Sequence, residues 1–512
     1  MTNSNNKRIA KNTLMLYFRQ VLILLVSLYT IRIVLDVLGV EDYGIYNVVG
    51  GVVMLFSFLS GTMASASQRF FSFALGENNT EKLYKIFSVN LIIYLTIAIV
   101  ALVLLESIGM WYVKEQLKIP AARYDAVIFL FHFSIFSFLA TMLATPFMAM
   151  IIAHEDMHIY AYVSIIEVLM KLAVVYLLMS ISYDKLELYG VLLFAVSILN
   201  LLLYVIICLT KYQECQFRKY YWDNALFKQI LGFTGWTLFG QVTTVTRNQA
   251  VTILLNQSFS PIVVAARAVA INISTRINMF SANFNVGLYP PIIKSYSSGD
   301  NKGLFRLIFN GSKMTFFLMW VFALPIFIEM EMILGLWLKE VPEYAILFTR
   351  LSLVESLILS ISLPLATAAR APGKMKVYEL TLGIMQLLIF GIAWIVLNLG
   401  YPAYSVFVIA IVVNLLMFAV RLIIVSNLVG LSVILYLQQV ALPVLLVIVL
   451  SASVSYYFHL LLERGIFSSI LSTAFCMTIS TAAMYLIGLN KEWRLKVNSF
   501  VRTKVVKLLP TA

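Results

Sequence analysis

Apolar residues run along this chain in blocks of about twenty, the length at which a helix rising about 1.5 Å per residue crosses the hydrocarbon core of a bilayer. Fourteen such blocks are predicted as spans, at 13–36, 44–68, 86–113, 124–152, 158–182, 188–210, 232–256, 260–288, 304–328, 344–369, 376–399, 402–427, 432–458 and 466–488. The polar segments between them alternate in charge. One set carries Lys7, Arg8 and Lys11, then Arg69, Lys82 and Lys85, the run from Lys211 to Lys228, Lys294 to Arg306, Arg370 to Lys376, and Lys491 to Lys507. The other is poor in cations and carries Glu41, Asp42, Glu329, Glu331, Glu340 and Glu343. By the positive-inside rule the first set faces the cytoplasm, both termini lie there, and the number of spans must be even.

The pattern repeats. "SQRFFSFALGENNTEKLYKIFS" (67–88) follows the second span and "YPPIIKSYSSGDNKGLFRLIFN" (289–310) follows the eighth. Both read as a helix end, then Gly-acid-Asn, then an aromatic-basic start to the next helix. The expected fold is therefore an all-α polytopic membrane protein of two pseudo-symmetric six-helix lobes with two extra C-terminal helices. Six is even, so the lobes insert the same way up, as parallel repeats do. The expected divisions are an N-lobe at 1–210, a cytoplasmic linker at 211–231, a C-lobe at 232–428, helices thirteen and fourteen at 429–488, and a basic tail at 489–512. The tail alternates cations with apolar residues and is expected to lie on the inner leaflet, each exposed cation gaining about 1 kcal/mol from anionic lipid.

Composition agrees: hydrophobic residues are 61% of the chain and charged residues 12%, with mean hydropathy +0.92. A soluble domain carries about twice that share of charge. The polar start "MTNSNNKRIAKN" runs into an apolar segment too long for a cleavable signal. Three cysteines (Cys208, Cys215, Cys476) exclude a disulfide framework and a cysteine zinc ribbon. The net charge of +13 is carried by the turns rather than by a nucleic-acid face. Loops are short, with no Walker A loop and no G-x-S-x-G elbow. A membrane glycan polymerase or ligase would need a larger extramembrane domain, so the expectation is a non-enzyme without cofactor.

One motif argues otherwise. "HEDMH" (154–158) has the H-E-x-x-H spacing that places two imidazoles on one helix face for zinc, with the glutamate as base. It falls in the turn between spans four and five. The positions where a metzincin would continue hold Ala161 and Ser164, and the other histidines, His132 and His459, lie elsewhere in the membrane. A solvated turn is the expected reading, with no metal.

More informative are charges inside spans. Arg247 lies in span seven, Arg267 and Arg276 in span eight, and Arg19 and Arg32 flank the core of span one. An arginine at mid-bilayer costs about 2.5–3.5 kcal/mol on insertion scales, so these must face water or a partner. Spans seven and eight also hold Gln241, Asn248, Asn272 and Asn278. At 100° per residue, Arg267, Ser274, Asn278 and Asn285 share one face of span eight, and Asn272, Arg276 and Asn283 the opposite one. Cations in a cavity imply an anionic ligand, and the guanidinium fork matches phosphate oxygens. Glu167 and Lys171 form an i,i+4 pair on span five; with Asp36 at the end of span one and Glu355 beside Arg350 in span ten, they are the candidates for ion coupling.

At this point a resemblance is visible. "LYTIRIVLDVLGVEDYGIYNVVGGVVMLFSFLSGTMASASQRFFSFALGE" (28–77) resembles the opening of polysaccharide and O-antigen flippases, with a basic first helix, an L-G-x-x-x-Y-G-x-Y turn and a Ser/Arg-Phe end to helix two. That family belongs to the multidrug/oligosaccharidyl-lipid/polysaccharide exporter superfamily. "ATPFMAMIIAHEDMHIYAYVSIIEVLMKLAVVYLL" (144–178) is similar to its fourth-to-fifth helix hairpin and "LPLATAARAPGKMKVYE" (363–379) to its tenth-to-eleventh. The resemblance implies alternating access across the bacterial inner membrane, carrying undecaprenyl-pyrophosphate-linked glycan from the inner to the outer leaflet. Partners would be membrane lipid, Na+ or H+ as coupling ion, and polysaccharide-assembly proteins; no nucleic acid is implied. A lipid II flippase or a cation-coupled multidrug exporter is the alternative on the same fold. The drug-exporting branch carries a first-helix acidic constellation that is missing here.

Overall fold

The computed structural model describes residues 2–498 except 55, 118, 217–220, 260, 339, 464, 491–493, 496 and 497, with side chains additionally set aside at 2–11, 28, 31, 40 and 261. The basic tail beyond 498 and the side chains of Lys7, Arg8, Lys11, Arg218 and Lys219 therefore lie outside the described residues. Among those described, every regular element is a helix.

Among the described residues, twelve helices are individually long and apolar enough to cross a membrane. They are α1 (Asn12–Gly39), α3 (Thr80–Gln116), α4 (Ala121–Ala153), α5 (Met157–Ser180), α6 (Lys185–Lys211), α8 (Ile262–Ser297), α9 (Asn301–Ile328), α10 (Ala345–Arg370), α11 (Lys376–Asn398), α12 (Ser405–Val429), α13 (Val433–Leu460) and α14 (Ile466–Gly488). A thirteenth, α2, is a pair (Glu41–Met54 and Ser57–Gly76) bent by 45°. The expected fourteenth is also a helix, α7 (Asn224–Ser258, 35 residues), but it is too polar to pass on apolarity. Its Thr237, Gln241, Thr244, Arg247 and Asn248 are the reason.

The turns follow from local chemistry. Gly39, at φ +78°, breaks the helix between α1 and α2 inside the expected 37–43 turn, in a region that glycine enters without steric cost. The two repeat turns close identically. Asn78 (φ +54°) and Gly299 (φ +74°) take the left-handed position, and the next amide bonds back five residues: Asn79 to the Ala74 carbonyl at 3.1 Å, Asp300 to Ser295 at 2.9 Å. Both are Schellman ends. Asn79 then caps α3 by accepting from the Lys82 amide at 2.9 Å.

The chain divides into two compact units. The first comprises 1–242, 286–301 and 373–380; the second comprises 243–285, 302–372 and 381–512. In the first, α4 packs along α6 and α2 around Leu105, Val127, Leu130, Phe131 and Ile135, and α1 packs along α5 around Ile33, Val34, Val175 and Leu178, all buried. Arg123 at the start of α4 binds Asp42 of α2 (Nε to Oδ1, 2.8 Å) and Asp184, the N-cap of α6. In the second unit α10 packs along α12, and α13 pairs with α14. That last pair meets on small polar residues: Ser451 and Ser455 on α13, Ser472, Cys476 and Ser480 on α14, all fully buried. Small side chains let membrane helices approach closely where apolar burial gives no drive. Trp320 of α9 donates to Ser451 Oγ at 2.9 Å and ties the hairpin to α9.

Gly488 extends this contact, since a Cβ there would overlap the Phe317 ring of α9. Gly488→Leu should therefore cost about 1–3 kcal/mol by overpacking and lower the thermal unfolding midpoint in detergent. An unchanged midpoint would contradict the close α9–α14 approach.

Candidate functional site

The H-E-x-x-H pattern does not lie on one helix. His154 ends α4, Glu155 sits at φ +66° in a third Schellman turn (Asp156 amide to the Ile151 carbonyl, 3.1 Å), and His158 belongs to α5. His154 and Glu155 are committed to packing, while His158 stays 41% exposed with its Nδ1 4.0 Å from Asp156 Oδ1. His154 Nε2 is 2.5 Å from Glu214 Oε1 and stacks on Tyr212 with ring centroids 4.3 Å apart. Glu155, its side chain 1% exposed, pairs with Lys294 Nζ at 2.8 Å, and its carbonyl accepts from Asn12 Nδ2 at 3.0 Å. Asp156 accepts from the Tyr212 hydroxyl at 2.7 Å and from Lys211 at 2.9 Å. Burial alone would push its carboxyl up, but these bonds outweigh it and hold it below the usual range. The turn is a clasp between α4, α5, the linker and the end of α8.

Two cavities of the first unit, of about 820 and 250 Å3, share Ser164 and Glu167. Glu167 Oε1 accepts from Lys171 at 2.6 Å and Oε2 from Asn200 Nδ2 at 3.1 Å. Asn200 Oδ1 is buried without a partner. Arg19, 8% exposed, lies over the Tyr160 ring at 4.5 Å and donates to Ser164 Oγ at 3.5 Å. Tyr160 and Ser164 line the smaller cavity, so Arg19 backs its wall. Arg32 and Asp36 on α1 are both exposed and stand apart from this group, as does Gln241.

In the second unit the mid-span charges meet one another. Arg247 Nη1 lies 2.9 Å from Glu355 Oε1, with side chains 12% and 13% exposed. Asn414 Nδ2 donates to the same oxygen at 3.1 Å. Arg267, 8% exposed, donates to the Thr252 hydroxyl and feels the charges of both Arg247 and Glu355. Two expectations change here. Glu355 belongs with Arg247 rather than Arg350, whose Nη2 is 4.0 Å from Glu331. Arg247 finds its anion within the protein, so its burial by itself demands no external one. The group carries a net single positive charge, from two guanidiniums and one carboxylate.

The two faces of α8 separate as the periodicity requires. Ser274 accepts from Ser352 at 2.8 Å, Asn285 Nδ2 donates to Thr367 Oγ1 at 3.3 Å, and Asn278 Oδ1 is buried without a partner. This is the packed face. Arg276 and Asn272 are exposed on the other, Asn272 bonding back to the Ala268 carbonyl at 3.0 Å. Asn248, on α7, is half-buried. Asn200, Asn414, Tyr160 and Thr252 were missed from sequence. Intramembrane asparagine in α6 and α12 was the available signal.

No protein-family profile and no curated protein matches the sequence. Solved structures do match. An outward-facing multidrug resistance MATE family transporter of the MOP superfamily superposes with TM-score 0.73 at 12% identity, over 83% of this chain and 96% of that one. This chain has the MATE transporter fold. The MATE transporter ClbM in complex with Rb+ gives 0.67 at 14% identity over 84% and 96%, and a Vibrio cholerae MATE transporter, VcmN, gives 0.65 at 14% over 85% and 99%. About a sixth of this chain lies outside each match, a length comparable to α13, α14 and the tail.

Removing one partner of a buried ion pair strands the other charge, at a cost of about 3–5 kcal/mol. Arg247→Met alone should destabilise the purified protein, and Arg247→Met with Glu355→Met should recover most of that loss. If the double variant unfolds as early as the single one, the pairing is wrong.

Proposed function

We propose that this protein is a secondary transporter that moves undecaprenyl-pyrophosphate-linked oligosaccharide from the inner to the outer leaflet of the bacterial inner membrane, by alternating access of two lobes. The observation that carries this reading is Arg276, exposed midway along α8 in a chain with a transporter fold. Facing lipid it would cost about 2.5–3.5 kcal/mol. Facing water, beside Asn272 one turn away, it offers a planar fork to a phosphate oxygen. Arg247 and Arg267 against one Glu355 leave the second unit positive as well. An anionic, phosphate-bearing lipid suits that charge better than an organic cation does. Lipid II is the alternative cargo of the same chemistry.

A cation-coupled multidrug exporter is the second reading, favoured by Glu167 in its cavity and by the Rb+ in one structural neighbour. Against it, Lys171 already neutralises Glu167 at 2.6 Å, so an incoming ion would have to displace a tethered ammonium.

In a strain lacking its own flippase, Arg276→Ala should abolish glycan export at normal membrane abundance, and Arg276→Lys should restore only part of it because the bidentate fork is lost. Full export by the alanine variant would overturn the assignment. On the second reading Lys171→Ala would free Glu167 for Na+ or H+. The flippase reading predicts instead that this variant's export is indifferent to replacing Na+ by choline, measured at constant pH.

A further inference from the structure

The second unit holds a cavity of about 810 Å3 where the Ile328 end of α9, the start of α10 and the turn between α13 and α14 come together. None of its residues takes part in the sites above. Its charges are largely paired with one another. His459 Nδ1 lies 2.8 Å from Glu329 Oε1, and Glu329 is 3% exposed. Arg350 donates Nε to the Phe327 carbonyl at 3.0 Å and has Glu331 at 4.0 Å from Nη2. Glu463 adds an exposed carboxylate, and Ser468 and Ser469 add hydroxyls. Arg464 lies outside the described residues.

An anionic ligand would meet three carboxylates in this lining. A cationic one would find Glu329 held by His459, with Glu331, 4.0 Å from Arg350, and Glu463 both exposed. What remains unsatisfied is hydrogen-bonding capacity of both kinds: carboxylates accept only, a guanidinium donates only, and hydroxyls do both. Alongside these, Phe327 (38% exposed) and Tyr456 (57% exposed) present aromatic surface. An uncharged ligand dense in hydroxyls on an apolar ring frame satisfies all of this, and the volume lies in the range that holds small-molecule ligands. We propose that this cavity is a saccharide-binding site. Where its sugar comes from rests on the flippase reading. On the positive-inside assignment the cavity opens at the outer face, where a delivered glycan would emerge.

The test uses full-length protein in nanodiscs against an array of free neutral and acidic di- and trisaccharides, followed by calorimetric titration of the strongest trisaccharide. Saturable binding is expected to a neutral sugar. It should weaken about tenfold, equivalent to about 1.4 kcal/mol, in Tyr456→Ala and in Glu463→Gln, exposed positions whose unfolding midpoints should stay at the wild-type value. No binding to any array sugar, or binding unchanged in both variants, overturns the site. Glycan export in cells is scored separately. Export without sugar binding removes the saccharide site alone, and sugar binding without export removes the flippase reading alone.

Discussion

An ionised side chain in the middle of a bilayer must find an opposite charge or water, because lipid offers neither. That requirement decides which parts of this chain fold against each other. In the second unit it draws α7 to α10 and α12, through Arg247, Glu355 and Asn414. In the first it holds Glu167 between Lys171 and Asn200, and lays Arg19 across Tyr160. The helices that carry these residues could not sit alone in lipid. α7 shows the consequence most plainly, since it is long enough to span yet too polar to do so without neighbours. Serine-lined packing does the same for α13 and α14, where burial of apolar surface gains nothing.

Pairing separates two kinds of intramembrane charge. Arg247, Glu355, Glu167 and Lys171 have partners inside their own unit and serve the fold first. Arg276 and Arg32 are exposed, and under the proposed function those are the positions open to a cargo. The distinction matters for reading variants. Loss of Arg247 strands a carboxylate and acts through stability, whereas loss of Arg276 removes an available donor. The proposed cargo follows from the second kind of residue, with the surplus positive charge of the first kind behind it.

Much of this was legible in the sequence, for identifiable reasons. Span positions were readable because twenty-residue apolar blocks leave little freedom. The internal repeat was readable from its Gly-acid-Asn turn, although Gly76 still belongs to the helix and it is Asn78 that matches Gly299 in the left-handed position. The face division of α8 was readable because a helix has a fixed period. What sequence could not give was partnership across helices: it shows Glu355 near Arg350, five residues away, and the structure pairs it with Arg247, more than a hundred residues away. The zinc-like pattern carries no information for a related reason. Its spacing carries meaning only on a continuous helix, and Glu155 at φ +66° breaks that helix. The bend within α2 was not readable either.

The central claim is that the exposed intramembrane cations serve an anionic, phosphate-linked lipid. Proteoliposomes carrying both a fluorescent undecaprenyl-pyrophosphate oligosaccharide and a fluorescent organic cation test it directly, with leaflet exposure of the first and efflux of the second followed in the same vesicles. The account predicts protein-dependent translocation of the pyrophosphate lipid and none of the cation. Efflux of the cation with no movement of the lipid would contradict it.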